Sequence, residues 1–309
     1  MPQALVLLAR RRPDAIFTTG GYLAIPVLIA ARLLGVPVLL WEGNVVPGRS
    51  VRATARMATA LAVSFEATCT ALGVTPCFET GTPIRDTTGA DRGAARERLG
   101  IPPDASVLLV FGGSQAVQRF NTAVAAALPR LVERRYVIHV TGDAGYAEAL
   151  ASRQRLPEPD RARYRPEPFL REGMVDALAA ADLVVGRAGS STLAEVTAFG
   201  LPMVVVPYPH AGAHQRANAE AIAAGGAAVL IEDEAFDGAA LLTSAALLDD
   251  PERHAALAAA ARRLARPAAA EAVADLLVAL ATRAALPLPA AVEARSRGVP
   301  DVAVPTPPR

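Results

Sequence analysis

Short apolar runs of strand length alternate with alanine-rich stretches of helical spacing along most of the chain, and that alternation leaves few folds open. Strand, helix and strand in repeated succession build a parallel sheet covered by helices, so the fold class is α/β. The pattern predicts strands at 15–18, 38–41 and 60–64, then at 106–111, 136–140, 183–186, 203–206 and 228–231. Helices are predicted to end at 4–11 and to cover 22–34, 51–59 and 121–134, with helical spacing again over 252–283. The run at 106–111 is of the buried kind, expected where both faces of a strand are covered.

Between Thr80 and Ile101 the chain gathers Gly81, Pro83, Gly89 and Gly93 among many charges, followed by Pro102-Pro103. Such a stretch between two strand–helix runs predicts a domain junction. The expected division is a first lobe at 1–82, a second at 83–283, and a Pro-rich, aperiodic, disordered tail at 284–309. A length of 309 residues suffices for two cores of ordinary size. The first run supplies about three strands where doubly wound sheets have five or six, so the N-terminal lobe is expected to be incomplete.

Composition removes several classes of function. Arg and Lys total 31 against 30 Asp and Glu, the net charge is +1, and aromatics make up 5%, which argues against nucleic acid as a partner. The chain contains no lysine, a feature read as compositional bias rather than adaptation to phosphate. Cys69 and Cys77 make neither a disulfide framework nor a zinc site, so a reduced, cytoplasmic protein is expected. The apolar run at 4–9 is too short to span a bilayer and is followed by Arg10-Arg11-Arg12, unlike a signal peptide.

Four constellations could carry chemistry. Arg187-Ala188-Gly189-Ser190-Ser191-Thr192-Leu193-Ala194-Glu195 follows a predicted strand. Gly189 permits a tight turn, Ser190, Ser191 and Thr192 start a helix, and the free amides there suit a diphosphate. Glu195, one turn in, can accept two hydrogen bonds from a ribose diol; an ordinary capped helix would look the same. Phe111-Gly112-Gly113-Ser114-Gln115, with Asn121 beyond it, allows close backbone approach and offers Ser114 to a phosphate or a sugar hydroxyl, or is simply a tight turn. Pro207-Tyr208-Pro209-His210 and then His214-Gln215 and Asn218 form a loop over the carboxyl end of a strand, where ligands of open α/β sheets bind. His210 and His214 lack an acidic or Cys partner nearby, so no metal is expected. In the first lobe, Thr19-Gly20-Gly21-Tyr22 opens a helix and Trp41-Glu42-Gly43-Asn44 ends a strand; Tyr22 and Trp41 could equally serve packing.

Taken in order, these segments resemble the MurG family of N-acetylglucosaminyltransferases, which make lipid II for peptidoglycan. Gly20-Gly21-Tyr22 resembles the family's GGY turn, Trp41 to Asn44 stands at its HEQN, and Gly81-Thr82-Pro83-Ile84-Arg85 resembles GNPVR. Gly112 to Gln115 with Asn121 resembles GGSQGAxxxN, Arg187 to Glu195 resembles RSGAxTxxE, and Gln215 with Asn218 falls on QxxNA. The resemblance implies two Rossmann-like lobes of the glycosyltransferase B fold, with UDP-N-acetylglucosamine bound by the C-terminal one and no cofactor or metal. It implies donor contacts from Arg85, Ser114, Gln115, Arg187, Gly189, Ser190, Ser191, Thr192, Glu195 and Gln215, with Gln215 at the sugar. It places Tyr22, Glu42, Asn44 and Asn121 on the side of a lipid-linked acceptor, at the inner face of the cell membrane. The family's Gly-rich loop ending in the expected basic His would precede Met1, and the HEQN positions carry Trp41 and Gly43 instead of His and Gln. Alternatives from the same fold are transfer to another lipid or natural product, a UDP-sugar epimerase, and a non-catalytic UDP-sugar-binding subunit whose N-terminal lobe a second chain completes.

Overall fold

The computed structural model describes residues 2–87, 89–112, 118–170, 173–209 and 214–299. Two compact units emerge: the described residues of Met1–Ile84 with those of Arg266–Arg309, and those of Arg85–Ala265. Each is a parallel sheet with helices, the fold class the alternation predicts.

In the first unit, strands β1 (Ile16–Thr18), β2 (Val38–Glu42), β3 (Ala60–Val63) and β4 (Cys77–Glu79) pair in sequence order. The second unit holds β5 (Val107–Phe111), β6 (Tyr136–Val140), β7 (Tyr164–Glu167), β8 (Leu183–Gly186), β9 (Met203–Val205) and β10 (Ala228–Leu230), in the order β10-β9-β8-β5-β6-β7. Every residue of β5, β8 and β9 is buried, because helices cover both faces of these inner strands. Leu108, Val110, Leu183 and Val185 pack on one face against Phe120, Val124, Leu128 and Leu131 of the helix Gln118–Val132.

Several expectations need correction. The second lobe does not run to 283: the helix Ala269–Ala281 belongs to the first unit. Its apolar stripe of Ala272, Val273, Leu276 and Leu280 closes on Leu39, Ala62 and Phe78 of the first sheet, giving that sheet the cover its apolar face requires. Nor is the tail without structure, since Pro289–Ser296 is a helix with Val292 and Ser296 buried. Proline at its first position suits a helix start, where a missing N–H breaks no bond. Residues 300–309 lie outside the described residues.

The expected junction at 80–101 shrinks to its beginning. Arg92–Leu99 is a helix of the second unit, pinned by Arg96, which is buried and donates to Asp182, Ala180 O and Pro103 O. Burial in turn lowers the Arg96 pKa, opposed by the Asp182 carboxylate. The first sheet has a fourth strand, β4, that was not expected, and β7 was missed because an edge strand tolerates its sequence Tyr-Arg-Pro-Glu.

Cys69 and Cys77 are joined in a disulfide, contrary to the free thiols expected. The helix Glu66–Leu72 ends at Gly73 in the left-handed conformation, the chain doubles back, and β4 starts with the two Cα atoms 5.8 Å apart, within bridging range.

His139 in β6 is buried, and its Nδ1 lies 2.9 Å from the Tyr164 hydroxyl of β7. Desolvation of the cation holds the imidazole at about 3, well below its ordinary 6.5. The folded state thus binds fewer protons than the unfolded one between those values. The stability this contributes is complete above pH 6.5 and is lost as pH falls toward 3, by up to about 1.4 kcal/mol per pH unit. His139→Gln should flatten this acid limb in urea-unfolding midpoints measured from pH 7 to pH 4. Leu276→Ala should destabilise the first unit by about 2–5 kcal/mol through an unfilled cavity, read from urea unfolding followed by Trp41 fluorescence.

Candidate functional site

The strand order of the second unit fixes where a ligand can sit. From β5 the chain moves outward to β6 and β7, then crosses back to β8 on the other side of β5. The strand order therefore reverses between β5 and β8, and the carboxyl edge at such a switch point is the usual ligand position in an open parallel sheet. Gly186 ends β8, where an added Cβ would stand 3.1 Å from Phe111 O and 3.4 Å from the Met203 methyl. This glycine lets β8 lie close to β5 at the switch point, a role the sequence reading missed.

After Gly186 the chain runs through Arg187, Ala188 and Gly189 into the helix Ser190–Ala198. Gly189 takes φ −68° and ψ 141°, so it adopts an ordinary extended conformation rather than the special turn expected of it. A Cβ there would meet only Thr192 Oγ1, at 3.7 Å. No side chain caps this helix, which leaves the first-turn amides of Ser190, Ser191 and Thr192 without a side-chain acceptor and the positive end of the helix dipole uncovered. A phosphate group supplies the missing acceptor oxygens.

Glu195 lies on the same helix, with its side chain 12% exposed, and its Oε1 accepts a hydrogen bond from Arg85 Nε at 2.7 Å. The 110 positions between them are closed by the fold, because Arg85 opens the second unit. Asn218, fully buried in the helix His214–Ala224, donates Nδ2 to Ala188 O at 3.1 Å and so pins the turn after β8. Gln215 accepts the Tyr208 backbone N–H on its Oε1 at 2.9 Å, holding the turn after β9.

Arg187 is buried. It pairs with Asp233, donates to Val206 O at 3.2 Å and Pro207 O at 3.4 Å, and lies over the rings of Phe120 and Tyr208 at 4.8 and 5.2 Å. Asp233 follows β10, at the same edge of the sheet, and also pairs with Arg119 at 2.9 Å. Neither Asp233 nor Arg119 was singled out from the sequence; their position just after a strand and just before a helix was the available signal. Arg119, Arg187, Tyr208, Asp233 and Phe236 line a cavity of about 860 Å³ at this edge, in the size range of ligand pockets. Ser114, Gln115 and His210 lie outside the described residues.

Asn121, expected on the acceptor side, lies in the second unit. Its Nδ2 donates to Thr141 O at 3.0 Å, against Gly145, where any Cβ would collide with the amide. It lies on the helix Gln118–Val132, turned toward the segment after β6.

In the first unit, Tyr22 is 76% exposed, beside Leu23 at 90%. Glu42 is buried at the end of β2 and braces the following loop: Oε1 accepts from Asn44 N and Nδ2, each at 2.9 Å, and Oε2 accepts from Gly48 N at 3.0 Å. Thr68 ties that loop to the helix Glu66–Leu72 by donating to Asn44 O at 2.9 Å. Trp41 Nε1 donates to Gly81 O at 3.1 Å, which makes it a packing residue. Among the described residues, no group of three or more His, Cys, Asp or Glu could hold a metal, and no helix is long and apolar enough to cross a membrane.

Comparison with known proteins shows the family and agrees with the fold. Residues 107–276 match the glycosyltransferase family 28 C-terminal domain, and residues 1–63 match its N-terminal domain. A UDP-N-acetylglucosamine--N-acetylmuramyl-(pentapeptide) pyrophosphoryl-undecaprenol N-acetylglucosamine transferase of Roseiflexus sp. (strain RS-1) is 41% identical over 263 residues, covering 74% of this chain and 60% of that protein. The protein of the same name from Moorella thermoacetica is 43% identical over 232 residues, covering 72% and 62%. The crystal structure of Acinetobacter baumannii MurG superposes with a TM-score of 0.70 at 28% identity, covering 89% of this chain and 76% of that one. The chain thus spans under two thirds of the length of these curated relatives.

Asn218→Leu should destabilise the second unit by about 1–3 kcal/mol, since Ala188 O is then buried without its donor. Thermal unfolding with and without the substitution measures it.

Proposed function

Because the chain belongs to glycosyltransferase family 28, we propose that it transfers N-acetylglucosamine, with inversion, from UDP-N-acetylglucosamine to a lipid-linked muramoyl-pentapeptide. The observation that carries this reading is the uncapped helix start at Ser190 at the switch point of the sheet, with the Glu195 carboxylate a turn beyond it. The named activity of the relatives supplies the acceptor class.

In this reading the amides of Ser190, Ser191 and Thr192 face the diphosphate. An acceptor hydroxyl attacks the anomeric carbon from the face opposite UDP and gives up its proton to a general base, the carbon–oxygen bond to the diphosphate breaks, and UDP leaves with the electron pair. The helix dipole and the amides lower the barrier because the leaving diphosphate gains charge as that bond breaks. Glu195, steadied by Arg85, accepts hydrogen bonds from the ribose hydroxyls, and Gln215, whose backbone lies in the first turn of its helix, faces the sugar. Ser114 and Gln115 join the donor side by resemblance. Tyr22, Glu42 and Asn44 serve the acceptor, with Glu42 shaping the loop that carries Asn44. The general base is assigned to no residue of this chain. A lipid-linked acceptor places the reaction at the inner face of the cell membrane, with the protein peripheral to it.

One observation favours a second reading, in which another segment or chain completes the N-terminal sheet. Strand β1 is an outer strand of its sheet, and Phe17 within it is 41% exposed. Release of UDP on adding the lipid-linked acceptor separates an active transferase from a binding subunit. Glu195→Ala should weaken UDP binding by about 1–3 kcal/mol through the loss of hydrogen bonds to a charged acceptor; unchanged affinity by calorimetry would remove Glu195 from the ribose.

A further inference from the structure

Asp233 stands after β10, far in sequence from every segment that the donor-site reading uses, yet its carboxylate joins two of them. Oδ1 takes Arg187, in the turn after β8, and Oδ2 takes Arg119 at 2.9 Å, at the start of the helix that follows β5. Through Arg187 it reaches a third, because that guanidinium also holds Val206 O and Pro207 O and lies over the Tyr208 ring. The turn after β9 is the one whose Tyr208 N–H is gripped by Gln215. One carboxylate with a 12% exposed side chain therefore connects the first turn of the helix Gln118–Val132 with the turns leaving β8 and β9.

The charges explain why a carboxylate is needed. Arg187 is buried, with a side chain 6% exposed, and a guanidinium so enclosed is stable only when a countercharge faces it. The carbonyls of Val206 and Pro207 accept hydrogen bonds but carry no net charge. An Asn at position 233 has nearly the same shape and can accept from only one of the two arginines. A Glu retains the charge and displaces it by one methylene.

We propose that Asp233 is a positioning residue of the donor site, acting through Arg187 and Arg119 to hold the turns after β8 and β9 and the start of the helix Gln118–Val132 in the arrangement that receives the nucleotide diphosphate. The inference rests on the donor-site reading above, and it makes a claim of its own about backbone order that needs no ligand.

The test compares Asp233→Asn and Asp233→Glu with the unmodified chain in three measurements: UDP affinity by calorimetry, the thermal midpoint, and amide hydrogen exchange over 187–192 and 206–209. Asp233→Asn is expected to weaken UDP binding about tenfold, as a displaced binding element does, and to speed exchange in both segments. Asp233→Glu should recover UDP affinity to within about threefold, since it restores the countercharge. A lowered thermal midpoint with unchanged UDP affinity and unchanged local exchange would reduce Asp233 to a general stabiliser and overturn the proposal. Tighter UDP binding by Asp233→Asn would overturn it too, making Asp233 a mere countercharge to cations that attract phosphate. If the unmodified chain binds no UDP, the donor-site reading falls, while the exchange comparison still decides whether Asp233 orders the turns. Should Asp233→Asn fail to fold, Arg119→Met removes one arm at a 41% exposed side chain. Faster exchange over 118–122 is then the supporting result, and unchanged exchange the contrary one.

Discussion

The parallel pairing of β8 on β5 is the contact on which the candidate site depends. Val107 to Phe111 and Leu183 to Gly186 are buried throughout, and Gly186 brings the ends of the two strands together because it has no side chain to meet Phe111 O. Of the inner strands, these two pair with each other while the chain leaves them toward opposite sides of the sheet. That reversal makes the carboxyl edge between them the switch point of the sheet, and the helix Ser190–Ala198 begins there, amide end first. Apolar burial supplies the rigidity, and the site is a consequence of its geometry.

Arginine does a second kind of work. Arg96, Arg187 and Arg266 are each largely enclosed, and each fastens segments distant in the chain: Arg96 ties a helix to Asp182, Arg187 a set of turns to Asp233, and Arg266 the strand residue Glu79 to Glu293. A planar guanidinium with five donors can satisfy several acceptors at once, which an ammonium group on a flexible stem does less well. The absence of lysine, whatever its origin, is thus compatible with a fold that relies on multiply bonded cations. Exposed surface pairs such as Arg216 with Glu220 contribute little by comparison.

How far the sequence discloses this structure depends on the range of the interaction. Strands at 136–140 and 183–186 were legible to the residue, since short runs rich in valine and isoleucine carry their own signal. The turn at Arg187 to Glu195 was legible as a motif because its parts are adjacent in the chain. Its partners were not: nothing near Glu195 names Arg85, and nothing near Arg187 names Asp233. The bond from Asn121 to Thr141 O was not legible either, since a motif gives a residue's spacing but not which face of the helix is inward. The disulfide between Cys69 and Cys77 depends on a left-handed Gly73, and eight intervening steps of sequence do not disclose that turn.

The largest difference concerns the helix Ala269–Ala281, whose amphipathic period was plain and whose destination was not. An apolar stripe states that a helix will be covered; it does not state by what. The second unit already has helices on both faces of its buried inner strands, whereas Leu39, Ala62 and Phe78 of the first sheet need a partner. The stripe goes where uncovered apolar surface remains, and Arg266 secures the chain at that point through Glu79 and Glu293. The N-terminal unit is therefore closed by residues nearly two hundred positions later. Its loop after β2, braced by Glu42 and Thr68, rests on a sheet that the C-terminal segment completes. The helix at 269–281 thus supports that loop at a distance, through the packing of the sheet beneath it.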